Sequence, residues 1–174
     1  MAKAVFDRET ILVRPANNRD FAQDIREGKV GSTQSIRPGE ALDLTYSTTD
    51  PEGTPPTAVA TVADEKANGF ALAIEKLLVQ PDAGTDAVDT PYTDNEYIRF
   101  FLPRTGDLVP VRISESSNVA LGDILATNGS TGNPGTFVVI TPDATTVAGT
   151  ILLRAHQAIT GAASVEPLCW AEVL

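Results

Sequence analysis

A small barrel or sandwich of short antiparallel β-strands with an extended N-terminal arm is the fold that this sequence predicts, and three observations carry it. Thirteen glycines and twelve prolines in 174 residues cut the chain into pieces too short for long helices, while 42% hydrophobic residues argue against wholesale disorder. Val109, Val111 and Ile113 alternate with other residues at the period of a half-buried strand. Turn signals such as Pro103-Arg104-Thr105-Gly106-Asp107 punctuate the apolar runs. A chain of this length buries roughly 70% of its unfolded surface, enough for one core with an arm or a small second lobe left over.

Residues 1–40 read as the arm and 41–174 as a β-rich body, with 41–97 a possible sub-lobe. In the arm, Ile11-Leu12-Val13 is a short extended piece stopped by Pro15, and Asn18 is placed to cap one or two helical turns carrying Phe21 and Ile25 before Gly28. A polar linker, Gly31 to Ser35, ends in the turn Arg37-Pro38-Gly39-Glu40. Ala41 to Ser47 reads as a strand and residues 49–56 as a loop. In 58–78, Asn68-Gly69 between two apolar runs favours a hairpin, with a helix presenting Phe70, Ile74, Leu77 and Leu78 as the alternative. Pro81 to Asn95 reads as a long exposed connection that carries negative charge. Ile98 to Leu102 and Val109 to Ile113 form a hairpin in this reading, followed by Val119 to Leu125, the loop Asn128 to Gly135, and Phe137 to Ile140. Ile151 to Leu153 begins a strand toward His156, and Leu168 to Leu174 is a strand packed in the core, Trp170 included. No repeat of solenoid or propeller length is evident.

Charge and composition exclude several functions. The net charge of −10 argues against a nucleic-acid partner, because phosphate binding needs concentrated Lys and Arg. The charge is uneven: residues 1–40 carry +1 and the remainder −11. The single cysteine, Cys169, rules out an intrachain disulfide and reads as a buried inert thiol. Met1 to Arg14 lacks the apolar core of a secretory signal, and no run approaches membrane-spanning length. The sequon Asn128-Gly129-Ser130 therefore reads as a turn.

No catalytic, cofactor-binding or metal-binding residues are expected. The one histidine, His156, lies in a strand-like setting without a nucleophile elbow and reads as a structural or surface residue. Gly129 to Gly135 superficially suggests a phosphate cradle but lacks the lysine, and Pro134 removes a backbone donor. Asp82, Asp86, Asp89, Asp94 and Glu96 lie without an apolar pocket to raise a pKa, so a solvated face is expected there, with a weak cation site as the alternative.

The stretch Ser117-Asn118-Val119-Ala120-Leu121-Gly122-Asp123-Ile124-Leu125-Ala126-Thr127-Asn128-Gly129, followed by Ile151 to His156 and by Glu166 to Leu174, resembles the β-rich head decoration (cement) proteins of tailed bacteriophages. The resemblance implies a non-enzymatic virion protein on the outer capsid surface, bound to the major capsid protein, commonly as a homotrimer, with no nucleic acid or membrane partner. The arm fits such a role, because an extended segment can add a strand to a neighbour's sheet edge. The expected partner-binding residues are Ile11, Leu12, Val13, Arg14, Arg19, Phe21, Ile25 and Arg26. A phage tail-tube subunit is the alternative within the structural class. A small glycan- or ligand-binding β-domain and a small hydrolase are the alternatives outside it.

Overall fold

The computed structural model describes residues 25–50, 53–62, 71–76, 88–142, 152–160 and 166–174. Among them are ten strands: β1 (Ile25–Val30), β2 (Ala41–Thr45), β3 (Thr57–Ala60), β4 (Ala71–Ala73), β5 (Tyr97–Phe101), β6 (Leu108–Arg112), β7 (Ile124–Thr127), β8 (Phe137–Ile140), β9 (Leu153–Ala155) and β10 (Leu168–Val173). The first five close into a barrel in the order β1-β3-β2-β4-β5, and the second five form a sheet in the order β6-β10-β9-β7-β8. The mainly β, barrel-forming architecture read from the sequence is therefore the one adopted. Within the barrel, β1 and β3 run parallel and the other pairs antiparallel.

Cross-strand register explains how the two bodies share residues. Directly opposed residues point to the same face of a sheet, and neighbours along a strand point to opposite faces. Ile25, Phe101, Leu72 and Ala41 stand opposite one another in a row across β1, β5, β4 and β2. This row faces out of the first barrel and joins Val109, Val111, Leu125, Phe137, Leu153 and Cys169 in the core of the second body. One residue earlier on β5, Phe100 points inward with Val30, Ile36, Leu42 and Ile98. Each such fully buried side chain contributes about 1.5–3 kcal/mol, so the contact between the bodies is itself a hydrophobic core.

The two bodies share one topology. With β1 to β5 matched to β6 to β10 in order, each pairing of the first barrel recurs in the second sheet. The parallel β1–β3 pairing recurs as a parallel bridge between Ile113 and Phe137. Register agrees to the residue: Gly31 N donates to the Ala58 carbonyl and Ser114 N to the Phe137 carbonyl, both at 2.9 Å. The isolated bridge Ile36–Tyr92 is matched by Val119–Ile159. Thr33 and Ser116 have φ of 63° and 60°, and Gly39 and Gly122 both have φ of 90°. Sequence retains little of this equivalence. Between 30–45 and 113–128 the aligned identities are Gly39 with Gly122 and Leu42 with Leu125, so the absence of an evident sequence repeat concealed a repeated fold.

Several expectations are corrected. Strand β1 is a barrel wall, paired with β5 and β3, so residues 25–30 belong to the first body and the arm cannot extend to residue 40. Arg-Glu-Gly-Lys has no apolar alternation to reveal it, because Arg26, Glu27 and Lys29 are exposed and Gly28 meets the Pro56 carbonyl. Strands β5 and β6 do not form a hairpin. Both neighbours of β5 are taken by β1 and β4, and Gly106 N bonds the Val173 carbonyl, turning the chain into the second sheet. Strands β3 and β4 are likewise not a hairpin, since β2 lies between them; Asn68-Gly69 lies outside the described residues. The connection before β5 is exposed only in part, because Val88 and Tyr92 are buried. Trp170 is half-buried on the face opposite Cys169, Ala171 and Val173, which enter the core along with Leu168.

Pro110, inside β6, is tolerated for a geometric reason. It opposes Trp170 at a pair between the hydrogen-bonded positions, so its missing N–H faces away from β10.

Candidate functional site

Arg37, Glu40, Asp89, Arg112 and Glu166 converge at the seam between the two bodies. The turn Arg37 to Glu40 ends at β2, and its middle is gripped from both sides. Gly39 N donates to the Ala73 carbonyl at 2.8 Å, Arg112 N donates to the Gly39 carbonyl at 2.8 Å, and Ala41 N donates to the Gly135 carbonyl at 2.7 Å. The segment 39–41 is thus inserted between the end of β6 and the loop before β8. A Cβ on Gly39 would meet Leu168 Cδ2 at 2.5 Å, so both φ and space require glycine there.

Arg112, at 3% exposure, is the hub. Its Nε donates to the Pro38 carbonyl at 2.9 Å, Nη1 to the Glu166 carbonyl at 2.8 Å and Nη2 to the Val88 carbonyl at 2.5 Å. Both Nη atoms also reach Asp89 Oδ1 at 3.2 Å. This uses the guanidinium's five-donor fork. Burial draws its pKa down, and Asp89 and Glu40 oppose that shift. Arg37 adds an ion pair to Glu166 at 2.8 Å.

Glu40 is buried beside this hub, with Oε2 accepting the Arg37 backbone N–H at 3.1 Å. Burial pushes its carboxyl up to about 7, outweighing the Arg37 N–H bond and the nearby Arg112 charge, which favour ionisation. Cys169 is fully buried, and burial pushes its thiol up to about 11, in agreement with an inert thiol. His156 is on the surface, with Nε2 3.1 Å from Glu172 Oε2.

This arrangement joins two bodies; it does not present a nucleophile with a base. Of the expected partner-binding residues, Ile11, Leu12, Val13, Arg14, Arg19 and Phe21 lie outside the described residues. Ile25 packs against the chain's own core, and Arg26 is an exposed residue of β1. In the acidic connection Asp82 and Asp86 lie outside the described residues, Asp89 pairs with Arg112, and Glu96 pairs with Lys76 at 2.6 Å. No group of three or more potential metal ligands occurs among the described residues. Arg112 escapes sequence reasoning because three of its partners are main-chain carbonyls far along the chain. Its signal is a single arginine amid an apolar strand run.

No family model matches the chain, and no curated protein matches it. Among solved structures it is similar to the crystal structure of the head fiber gp8.5 N base of bacteriophage phi29, at 12% identity and a TM-score of 0.49, over 86% of this chain and 94% of that one. A likeness at this level carries no functional inference.

Proposed function

We propose that the chain is a structural protein of a tailed-phage virion, a decoration protein that binds the outer capsid surface as a homotrimer and holds neighbouring major capsid subunits together. The observation that carries this reading is the Ser117–Gly129 pattern, which resembles cement proteins and folds as a surface turn leading into β7. Ala120 N donates to Asp123 Oδ2 at 2.7 Å, and Leu121 stands out from the turn at 72% exposure. The barrel and the sheet fused through a shared core suit a load-bearing part. The role is non-enzymatic, with His156 tied to Glu172 on the surface. Contact with the capsid falls to the chain before β1, through Ile11, Leu12, Val13, Arg14, Arg19 and Phe21, and to Arg26 in β1.

Imaging of undecorated capsids mixed with the purified protein tests the reading. Added density at symmetric outer positions is expected. Bare capsids would overturn it, and tubes or stacked rings formed without capsids would point to a tail-tube subunit.

A further inference from the structure

The internal seam has a giving side on the first barrel and a receiving side on the second, and the shared topology gives each a counterpart. On the giving side, Ile25, Phe101, Leu72 and Ala41 match Leu108, Glu172, Arg154 and Ile124, which stand opposite one another across β6, β10, β9 and β7. The turn Arg37 to Glu40 matches Ala120 to Asp123. On the receiving side, Arg112, Thr136 and Leu168 match Lys29, Thr57 and Tyr97 on the rim of the first barrel. Among the described residues, neither counterpart takes part in the internal seam.

We propose that these two counterparts bind each other between chains, the Leu108–Leu121–Ile124 face of one copy docking on the Lys29–Thr57–Tyr97 rim of a second copy, in a head-to-tail repeat of the internal seam.

Three observations support it. Leu121 and Tyr97, at 72% and 68%, are the two most exposed large hydrophobic side chains described, and they fall one on each counterpart. Gly39 and Gly122 share φ of 90°, but a Cβ on Gly39 would meet Leu168, whereas one on Gly122 would have nothing within 4 Å. The residue matched to Leu168 is Tyr97, so a neighbour's Tyr97 would fill that open space. Chemistry also differs as it should between a fixed and a separable contact. The buried Phe101 and Leu72 of the internal row become Glu172 and Arg154, flanked by half-buried Leu108 and Ile124, and interfaces between separable subunits are more polar than cores.

The copy is not complete. Lys29 N bonds the Pro56 carbonyl at 2.8 Å and closes the first barrel's rim, where the second is parted by segment 39–41. The intermolecular contact therefore rests on side chains. Lys29, matched to Arg112, supplies a cation to Asp123 and Glu172. A heterologous contact of this kind closes into a ring when its rotation allows.

This inference names the surfaces of the homotrimer proposed above, and capsids are left out of its test so that its failure is separate from failure of the capsid reading. Mass photometry and sedimentation velocity are run on the full chain, Leu121→Asp, Tyr97→Asp and an equimolar mixture of the two variants. The wild type is expected to be an oligomer and each variant a monomer with an unchanged thermal melt, because both side chains are exposed. The mixture is expected to yield dimers, since one face and one rim remain intact between the two variants. A monomeric wild type, variants that keep the wild-type mass, or a mixture that stays monomeric would overturn it. Crosslinking of wild-type Lys29 to Asp123 or Glu172 of another copy, read by mass spectrometry on mixed isotope-labelled chains, provides a check without substitution; its absence in an oligomer would count against the contact.

Discussion

Gly39 and Gly122 occupy the same turn position in the two bodies, both at φ of 90°, yet only Gly39 is covered by a side chain of the other body, Leu168. Alanine at either site bears the left-handed strain of roughly 1 kcal/mol. At Gly39 it also collides with Leu168 Cδ2 at 2.5 Å. Urea unfolding in the monomeric Tyr97→Asp background should show Gly39→Ala losing about 2–4 kcal/mol and Gly122→Ala about 1 kcal/mol. Equal losses would contradict the covered turn.

Glu40 gives the stability a pH dependence of unusual sign. Its carboxyl sits at about 7 in the folded chain against an ordinary 4.5, so between these values the folded state binds more protons than the unfolded one. Stability from this group therefore falls as pH rises from about 5 to 8, by on the order of 3 kcal/mol. Glu40→Gln keeps an acceptor for the Arg37 N–H and should flatten the curve, melting higher than wild type at pH 8. Parallel melting curves for the two proteins would refute the assignment. A carbon-13 titration of the wild-type Glu40 carboxyl should have its midpoint near 7.

Arg112 predicts a failed conservative replacement. A lysine ammonium cannot span the Pro38, Val88 and Glu166 carbonyls that the guanidinium reaches. Arg112→Leu should cost on the order of 3 kcal/mol by leaving those carbonyls unpaired, and Arg112→Lys should recover less than half of that. Full recovery by lysine in denaturant titrations would show that charge alone matters at the seam.

His156→Ala should change stability by no more than about 0.5 kcal/mol, because its partner Glu172 is a surface residue. Capsid binding should also be retained. Loss of binding by a folded variant would give this histidine a role that the present account does not.

The sequence made the strands easier to read than their partners. The core role of β10, the β7–β8 hairpin and the inert Cys169 follow from alternation and burial tendency, which are local. A turn signal reports only that the chain reverses. Thus Pro103 to Asp107 suggested a β5–β6 hairpin when those strands belong to different bodies, and 58–78 suggested pairing between strands that β2 separates. β1 was hidden because a barrel wall with an exposed face and Gly28 at a close approach lacks an apolar stripe. At the seam, Arg37-Pro38-Gly39-Glu40 was legible as a turn. Its burial was not, because that depends on Arg112 and Leu168, more than seventy residues away.

The central claim is that this chain attaches to a capsid through the segment before β1. Deletion must stop at Asp24, since removing Ile25 onward takes out a barrel strand. The direct measurement is co-sedimentation of the full chain and the 25–174 chain with undecorated capsids at low and high salt, with folding of both verified by circular dichroism. The account predicts that the full chain pellets with capsids, more weakly at high salt because Arg14 and Arg19 contribute, and that the folded 25–174 chain stays in the supernatant. Equal pelleting of both chains, or of neither, would contradict it.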